Sequence, residues 1–342
     1  MKRFLSLLLI ACILLSGCAA GQETGQAKQF NATFLTLFDT VTTIVGRAES
    51  EEAFSATAQQ VHDALLEYHQ LFDIYNDYEG LNNLKTVNDN AGIAPVPVDG
   101  RIIDLLKDCK AYYDLTGGKV NVAMGSMLHL WHVARNEGLD DPANAKLPDP
   151  AKLEAAAAHT SWDNVIIDEE ASTVFLTDPE MRLDVGAVAK GWSVQRVAEK
   201  AQPGLLISVG GNVCATGPKD ETGTPWVVGI QNPDGGDDYL HTLYVTDQSV
   251  VTSGDYQRYY VVGEEIYHHI IDPETLMPAK HWRAVTILCR DSGLADALST
   301  ALFLLPYEDG LALLESCDAE AMWVGFDGEK RYSPGFEEMI RT

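Results

Sequence analysis

Residues 34–45 are apolar and rich in threonine, which predicts a strand pair or one bent strand, ended by Gly46. The pattern then changes period. Phe54, Ala58, Val61, Leu65, Tyr68 and Phe72 recur at steps of three and four, so residues 50–75 are predicted as a helix with one apolar face. Residues 99–113 repeat that pattern, and Asp99 is placed to cap the new helix. A polar, proline-rich surface connection over 141–150 leads to a short alanine-rich helix over 151–160. Residues 162–176 partly alternate and predict a hairpin that turns at 168–171.

Further on, a glycine-containing turn at Asp184 becomes helical towards Lys200. Strands are predicted over 205–209, 226–231, 240–245, 250–252, 259–262, 285–289 and 321–325, with a helix over 294–304. Two glycine-centred segments, Gly210-Gly211-Asn212 and Thr252-Ser253-Gly254-Asp255-Tyr256, read as turns at a sheet rim, where sites tend to form. Many strands among a few long helices predict an α+β fold of antiparallel sheets and packed helices, not a doubly wound sheet. No internal repeat is visible.

The first residues follow another logic. Lys2 and Arg3 precede an apolar run from Phe4 to Leu15, and Ser16-Gly17-Cys18 closes it. The run is short for a membrane span, and small residues with a cysteine end it. The expectation is a lipoprotein signal peptide over 1–17, lipidation of Cys18, a polar tether over 18–31 and a folded domain over 32–342. The localisation expected is the extracytoplasmic side of the cell membrane, held by a lipid anchor.

The chain carries a net charge of −26, and loss of Lys2 and Arg3 with the leader would leave it near −28. That disfavours nucleic acid as a partner. Cys109, Cys214, Cys289 and Cys317 form no close pair, so structural zinc is disfavoured and free thiols are expected.

Three clusters could carry chemistry. In Asp184-Val185-Gly186-Ala187-Val188-Ala189-Lys190, small residues and a cation meet a helix start, a place suited to phosphate. A tight turn with a solvated lysine is the alternative. Asp296 and Thr300 stand four apart on a helix and could offer a carboxylate and a hydroxyl to one hard cation. Alternatively Asp296 is a first-turn residue, and Thr300 bonds back to the preceding turn. In His268-His269 only one ring can face a site, and an imidazole with a pKa near neutrality can accept a proton at working pH. His129 and His132 flank Trp131 with no third ligand nearby, which favours a structural role.

Taken in order, the segments resemble the ApbE family of FAD:protein FMN transferases. They are Phe38-Asp39-Thr40, Phe72-Asp73-Ile74-Tyr75, Thr116-Gly117-Gly118 through Trp131, the run from Leu183 to Gly191, Ser208 to Asn212, Thr252 to Tyr256, His268 to Pro273, and Ala295 to Thr300. The resemblance implies an ApbE-like, T-fold-related architecture. It implies FAD contacts at Phe38, Tyr75, Lys119, Val120, Asn121, Asp184, Lys190 and Ile271. Phe38 stands where many members have methionine, Asp39 where glycine is frequent and Asn121 where aspartate is common. The resemblance places a metal, Mg²⁺ or another hard divalent cation, on the carbonyl of Ala187 with Asp296 and Thr300. It implies that FAD is the substrate and that FMN passes to a threonine hydroxyl of an acceptor flavoprotein, such as a flavin-carrying subunit of a membrane redox complex, with release of AMP. His269, on the same face as Ile271, is the candidate base. Two rival readings use nearly the same residues: an FAD pyrophosphatase, and a flavin-binding lipoprotein without turnover.

Overall fold

A computed structural model of the chain describes residues 27–236 and 238–341. The expected leader, Cys18 and most of the tether lie outside these residues.

The chain opens on an antiparallel pair, β1 (Lys28–Phe34) and β2 (Thr42–Ala48). Lys28 to Asn31 therefore belong to a strand and not to the expected tether. Phe30, Ala32 and Phe34 alternate onto the core, a weak signal in an otherwise polar segment. Gly46 does not end β2. A Cβ there would lie 2.6 Å from Leu205 and 3.1 Å from Phe54, so the glycine serves close packing inside the strand.

The helix α1 (Glu51–Phe72) forms as predicted, with the Ser50 hydroxyl accepting from the Ala53 N–H. It is followed by α2 (Leu84–Asp89), β3 (Val96–Pro97) and α3 (Gly100–Leu115), which Asp99 caps. Next come α4 (Gly125–Asp140), α5 (Pro150–Ala157) and the predicted hairpin β4 (Val165–Asp168) and β5 (Thr173–Leu176). Sequence periodicity does not reveal α4. Its buried positions include Gly125 and Gly138, which carry no hydrophobic signal.

The second half contains α6 (Ala189–Ala198), β6 (Leu205–Val209), β7 (Asn212–Ala215), β8 (Trp226–Gln231), β9 (Tyr239–Val245) and β10 (Ser249–Gly254). It continues with β11 (Tyr259–Val262), β12 (Glu265–His268), β13 (Ala284–Cys289) and α7 (Ser292–Leu304). The last elements are α8 (Tyr307–Leu314), β14 (Ala319–Val324) and β15 (Lys330–Tyr332). Thr252, Ser253 and Gly254, expected in a turn, are the last residues of β10 and pair with β13.

Eight strands form one sheet in the order β1-β2-β6-β7-β10-β13-β14-β15. Every adjacent pair is antiparallel. Both faces of its centre are covered. Val251 and Ile287 pack with α7, while Val250 and Leu288 pack with the β8–β9 ribbon. This is why β13 reads as an unbroken apolar run and not as an alternating one. The expected α+β class holds. Cys109, Cys214, Cys289 and Cys317 are free thiols.

Candidate functional site

A cavity of about 1270 Å³ opens where α1, α4, α6, α7 and the β11–β12 hairpin converge. That exceeds the range of about 300–1,000 Å³ usual for drug-sized ligands. Every cofactor-contact and metal residue expected from sequence lines it, and so does His269.

Its oxygen-rich corner is built by the crossing of α6 and α7. Asp296 is 4% exposed, and its Oδ2 accepts the Gly191 N–H at 2.8 Å. In a regular helix that N–H would bond the carbonyl of Ala187, four residues back. Its diversion to Asp296 leaves the Ala187 carbonyl without a backbone donor among the described residues. Thr300 does not bond back to the preceding turn. Its neighbour Ser299 does so instead, at 2.8 Å to the Asp296 carbonyl. The Ala187 carbonyl, Asp296 Oδ1 and the Thr300 hydroxyl thus remain available. One carboxylate, one hydroxyl and one carbonyl are hard oxygen donors suited to Mg²⁺ and ill suited to zinc. No group of three or more His, Cys, Asp or Glu side chains with metal-binding geometry exists among the described residues, His129 and His132 included.

The two adjacent histidines divide as the extended backbone requires. His268 is buried, accepts the Ile270 N–H on Nδ1 at 3.2 Å and meets the Ala279 carbonyl with Nε2 at 2.8 Å. Both its nitrogens are satisfied, so its role is structural. His269 faces the cavity. Its Nδ1 lies 3.2 Å from the Arg258 carbonyl, which can only accept, so the proton of the neutral ring sits on Nδ1 and Nε2 carries a lone pair. The near-neutral pKa expected for His269 is not found. Burial, then the positive charge of Arg258, the neighbouring His268 ring and the charge of Lys190, pushes it down to about 3. The side chain is exposed to the open cavity, and the downward shift comes from the cavity walls that crowd it and displace part of its hydration.

The remaining expected contacts differ in how free their side chains are. Tyr75 is 49% exposed and stacks on His132 with centroids 5.1 Å apart; crowding by the cavity walls, and then Asp184, push its hydroxyl up to about 12. Burial raises the pKa of Asp184, against which the Gly186 N–H donates to Oδ1 at 2.9 Å. Lys190 folds back to the Gly186 carbonyl at 3.2 Å and lies 4.0 Å from Asp296. Lys119 is already ion-paired with Asp272 at 3.3 Å and Glu274 at 2.9 Å. Asn121 uses both ends within the fold, donating to the Thr160 carbonyl and accepting from the Ala123 N–H. Val120 and Ile271 are buried and add apolar wall. Phe38 and Asp39 both adopt φ of 52°, the left-handed region, which accounts physically for a glycine being at home at position 39. Phe38 is held there by its N–H to His69 Nδ1 at 3.2 Å and by edge-on packing against that ring.

Sequence reasoning missed Arg135 and Arg258 as site residues, set His132 aside as structural and gave Asn212 only as part of a rim turn; all four line the cavity. Arg258 lies two residues beyond Tyr256, just outside the segment singled out. The amide nitrogen of Asn212 is buried there without a partner. Arg135 sits on α4, which the pattern did not reveal.

The profile of the ApbE family matches residues 38–323. The chain is 32% identical to the FAD:protein FMN transferase of Treponema pallidum, over 97% of this chain and 94% of that one. It is 33% identical to an FAD:protein FMN transferase of Klebsiella pneumoniae, over 75% and 80%. Among solved structures, the ApbE protein of Thermotoga maritima superposes with a TM-score of 0.80 at 28% identity, covering 93% of this chain and 100% of that one. The flavin transferase ApbE from Vibrio cholerae shares the fold, with a TM-score of 0.75 at 22% identity and coverage of 92% and 100%.

Proposed function

Because the chain belongs to the ApbE family, we propose that it transfers FMN from FAD to a threonine hydroxyl of an acceptor flavoprotein. The observation that carries this reading is the meeting, in one dinucleotide-sized cavity, of three unengaged oxygen donors and a histidine held with Nε2 as its acceptor.

Asp296, Thr300 and the Ala187 carbonyl would hold a hard divalent cation, for which Mg²⁺ fits the donors. When bound, that ion supplies charge to phosphate oxygens. FAD would lie against Phe38, Tyr75, Val120, Asp184 and Ile271, with Lys190 near its phosphates. Lys119 and Asn121 shape the wall through the contacts they already make. His269, whose proton affinity the phosphates of bound FAD would raise by offsetting Arg258 and Lys190, would take the proton of the acceptor hydroxyl on Nε2 as the oxygen attacks the FMN-side phosphorus. The bond from that phosphorus to the bridging oxygen breaks, AMP leaves with that oxygen, and FMN stays on the acceptor as a phosphoester. Asp255 and Asp272, carboxylates adjoining the cavity wall that could replace it as base, are already ion-paired with Arg283 and Lys119.

Lipidation at Cys18 would place the enzyme on the outer face of the cell membrane, beside acceptors such as flavin-carrying subunits of membrane redox complexes. Product analysis tests the reading. Protein-bound flavin with stoichiometric AMP supports it. Free FMN with AMP assigns the protein as a hydrolase, and intact FAD as a binder.

A further inference from the structure

Two arginines reach the cavity from different elements. Arg135 lies on α4, and Arg258 directly precedes β11. Of the other cations, Lys119 is paired with Asp272 and Glu274, Lys190 lies 4.0 Å from Asp296, and Arg283, outside the lining, is paired with Asp255 and Asp234. Neither Arg135 nor Arg258 is ion-paired among the described residues, and Nε of Arg135 is buried with no hydrogen-bond partner. Burial and the charge of Arg258 both weigh against the charged form of Arg135. The chain has 50 acidic side chains and a net charge of −26. Arg135 is partly buried and Arg258 is exposed to the cavity, and the charge of Arg258 bears on Arg135 with no carboxylate paired to either among the described residues, a repulsion that an incoming anion would relieve.

We propose that Arg135 and Arg258 form a subsite for a phosphoryl oxyanion of the bound dinucleotide, distinct from the oxygen corner of Asp296 and Thr300. The inference rests on reading the cavity as an FAD site. A guanidinium fork matches two phosphoryl oxygens, which a point charge such as Lys190 does not. Arg258 is also the residue whose carbonyl orients His269. A phosphoryl group gripped by its side chain is therefore held near the proton acceptor. Substituting the side chain leaves that carbonyl in place, so binding and orientation can be separated.

The test compares FAD with riboflavin, which has the same ring system and no phosphate. Both are titrated by stopped-flow fluorescence, in magnesium buffer without acceptor, against the wild type, Arg135→Gln, Arg258→Gln and the double variant. The expected result is a loss of FAD affinity of about tenfold or more for each substitution, with riboflavin affinity unchanged. Arg135→Lys and Arg258→Lys keep the charge without the fork. They should show a smaller loss with the same selectivity, and they carry the test if a glutamine variant does not fold. Equal losses for FAD and riboflavin, or no loss for FAD, overturn the subsite. A folded wild type that binds neither ligand overturns the FAD reading of the cavity itself.

Discussion

The backbone carbonyl of Arg258 receives two hydrogen bonds from one residue, the main-chain N–H of His269 at 3.1 Å and its Nδ1–H at 3.2 Å. The pair fixes both the position and the tautomer of the ring. Transfer should therefore depend on His269 in a way that binding does not. His269→Ala is expected to lower the single-turnover transfer rate at saturating FAD about 10²-fold or more, with little change in FAD affinity. A wild-type rate in a folded His269→Ala protein removes the residue from the mechanism. His268→Ala should show the reverse. It leaves the Ala279 carbonyl and the Ile270 N–H without their partner and should cost about 1–3 kcal/mol of stability, visible in urea unfolding, with the transfer step largely retained.

Asp296 has two tasks, since one oxygen caps the Gly191 N–H while the other is free. Asp296→Ala would strip both, so a loss of activity there would mix metal binding with stability. Asp296→Asn separates them because its amide oxygen can still accept the Gly191 N–H. The expected outcome is a near-native unfolding midpoint and a steep rise in the Mg²⁺ concentration needed for activity. Thr300→Ala, which removes a neutral donor, should shift that requirement less. An unchanged metal requirement in Asp296→Asn rules out the assignment.

Gly191 is what lets α6 and α7 cross closely enough to build the oxygen corner. A Cβ on it would sit 2.2 Å from the Ser292 carbonyl oxygen and 2.5 Å from the Asp296 Cβ. Neither is the far end of a flexible side chain, so the helices must separate. Gly191→Ala should cost about 1–3 kcal/mol, and it should raise the Mg²⁺ concentration needed for activity as well, because Asp296 moves with α7. A variant of native stability and native metal response would show that the crossing is softer than its geometry implies.

How much of this was legible in the sequence depends on which residues carried the signal. Ser50, Asp99 and the apolar rows of α1 and α3 announced themselves through periodicity and capping. The Asp296–Thr300 pair was legible as a helix face. What made it persuasive, the diversion of the Gly191 N–H away from Ala187, is a contact across 105 residues that no local pattern records. Gly46 misled for a related reason: a glycine needed for packing against Leu205 looks the same in sequence as one needed for a turn. The family segments supplied most of the cavity wall. Arg135 escaped because α4 buries glycines at Gly125 and Gly138, and Arg258 because an arginine after a strand looks like any solvated cation.

The depressed pKa of His269 makes a final prediction about stability and pH. Its folded value is about 3, against an ordinary 6.5. Between those values the unfolded chain binds a proton that the folded ring refuses, so the unfolded state gains as pH falls. The stabilising contribution is complete above pH 6.5 and is lost progressively as pH drops towards 3. His132 and His268, both also lowered by burial, act in the same direction. Asp184, raised by burial, acts oppositely, contributing stability that is lost as pH rises through its folded pKa. His129 and His241 are lowered by burial too, so His269→Gln removes one histidine contribution among several and leaves an amide in its place. Urea midpoints measured for both proteins at neutral pH and near pH 4.5 should show a smaller acid loss for His269→Gln than for the wild type. Identical losses would mean that water in the open cavity offsets the crowding and that His269 titrates near its ordinary value. The same measurement repeated with FAD present should narrow the difference, because an anion beside Arg258 and Lys190 offsets two of the charges that hold the ring neutral.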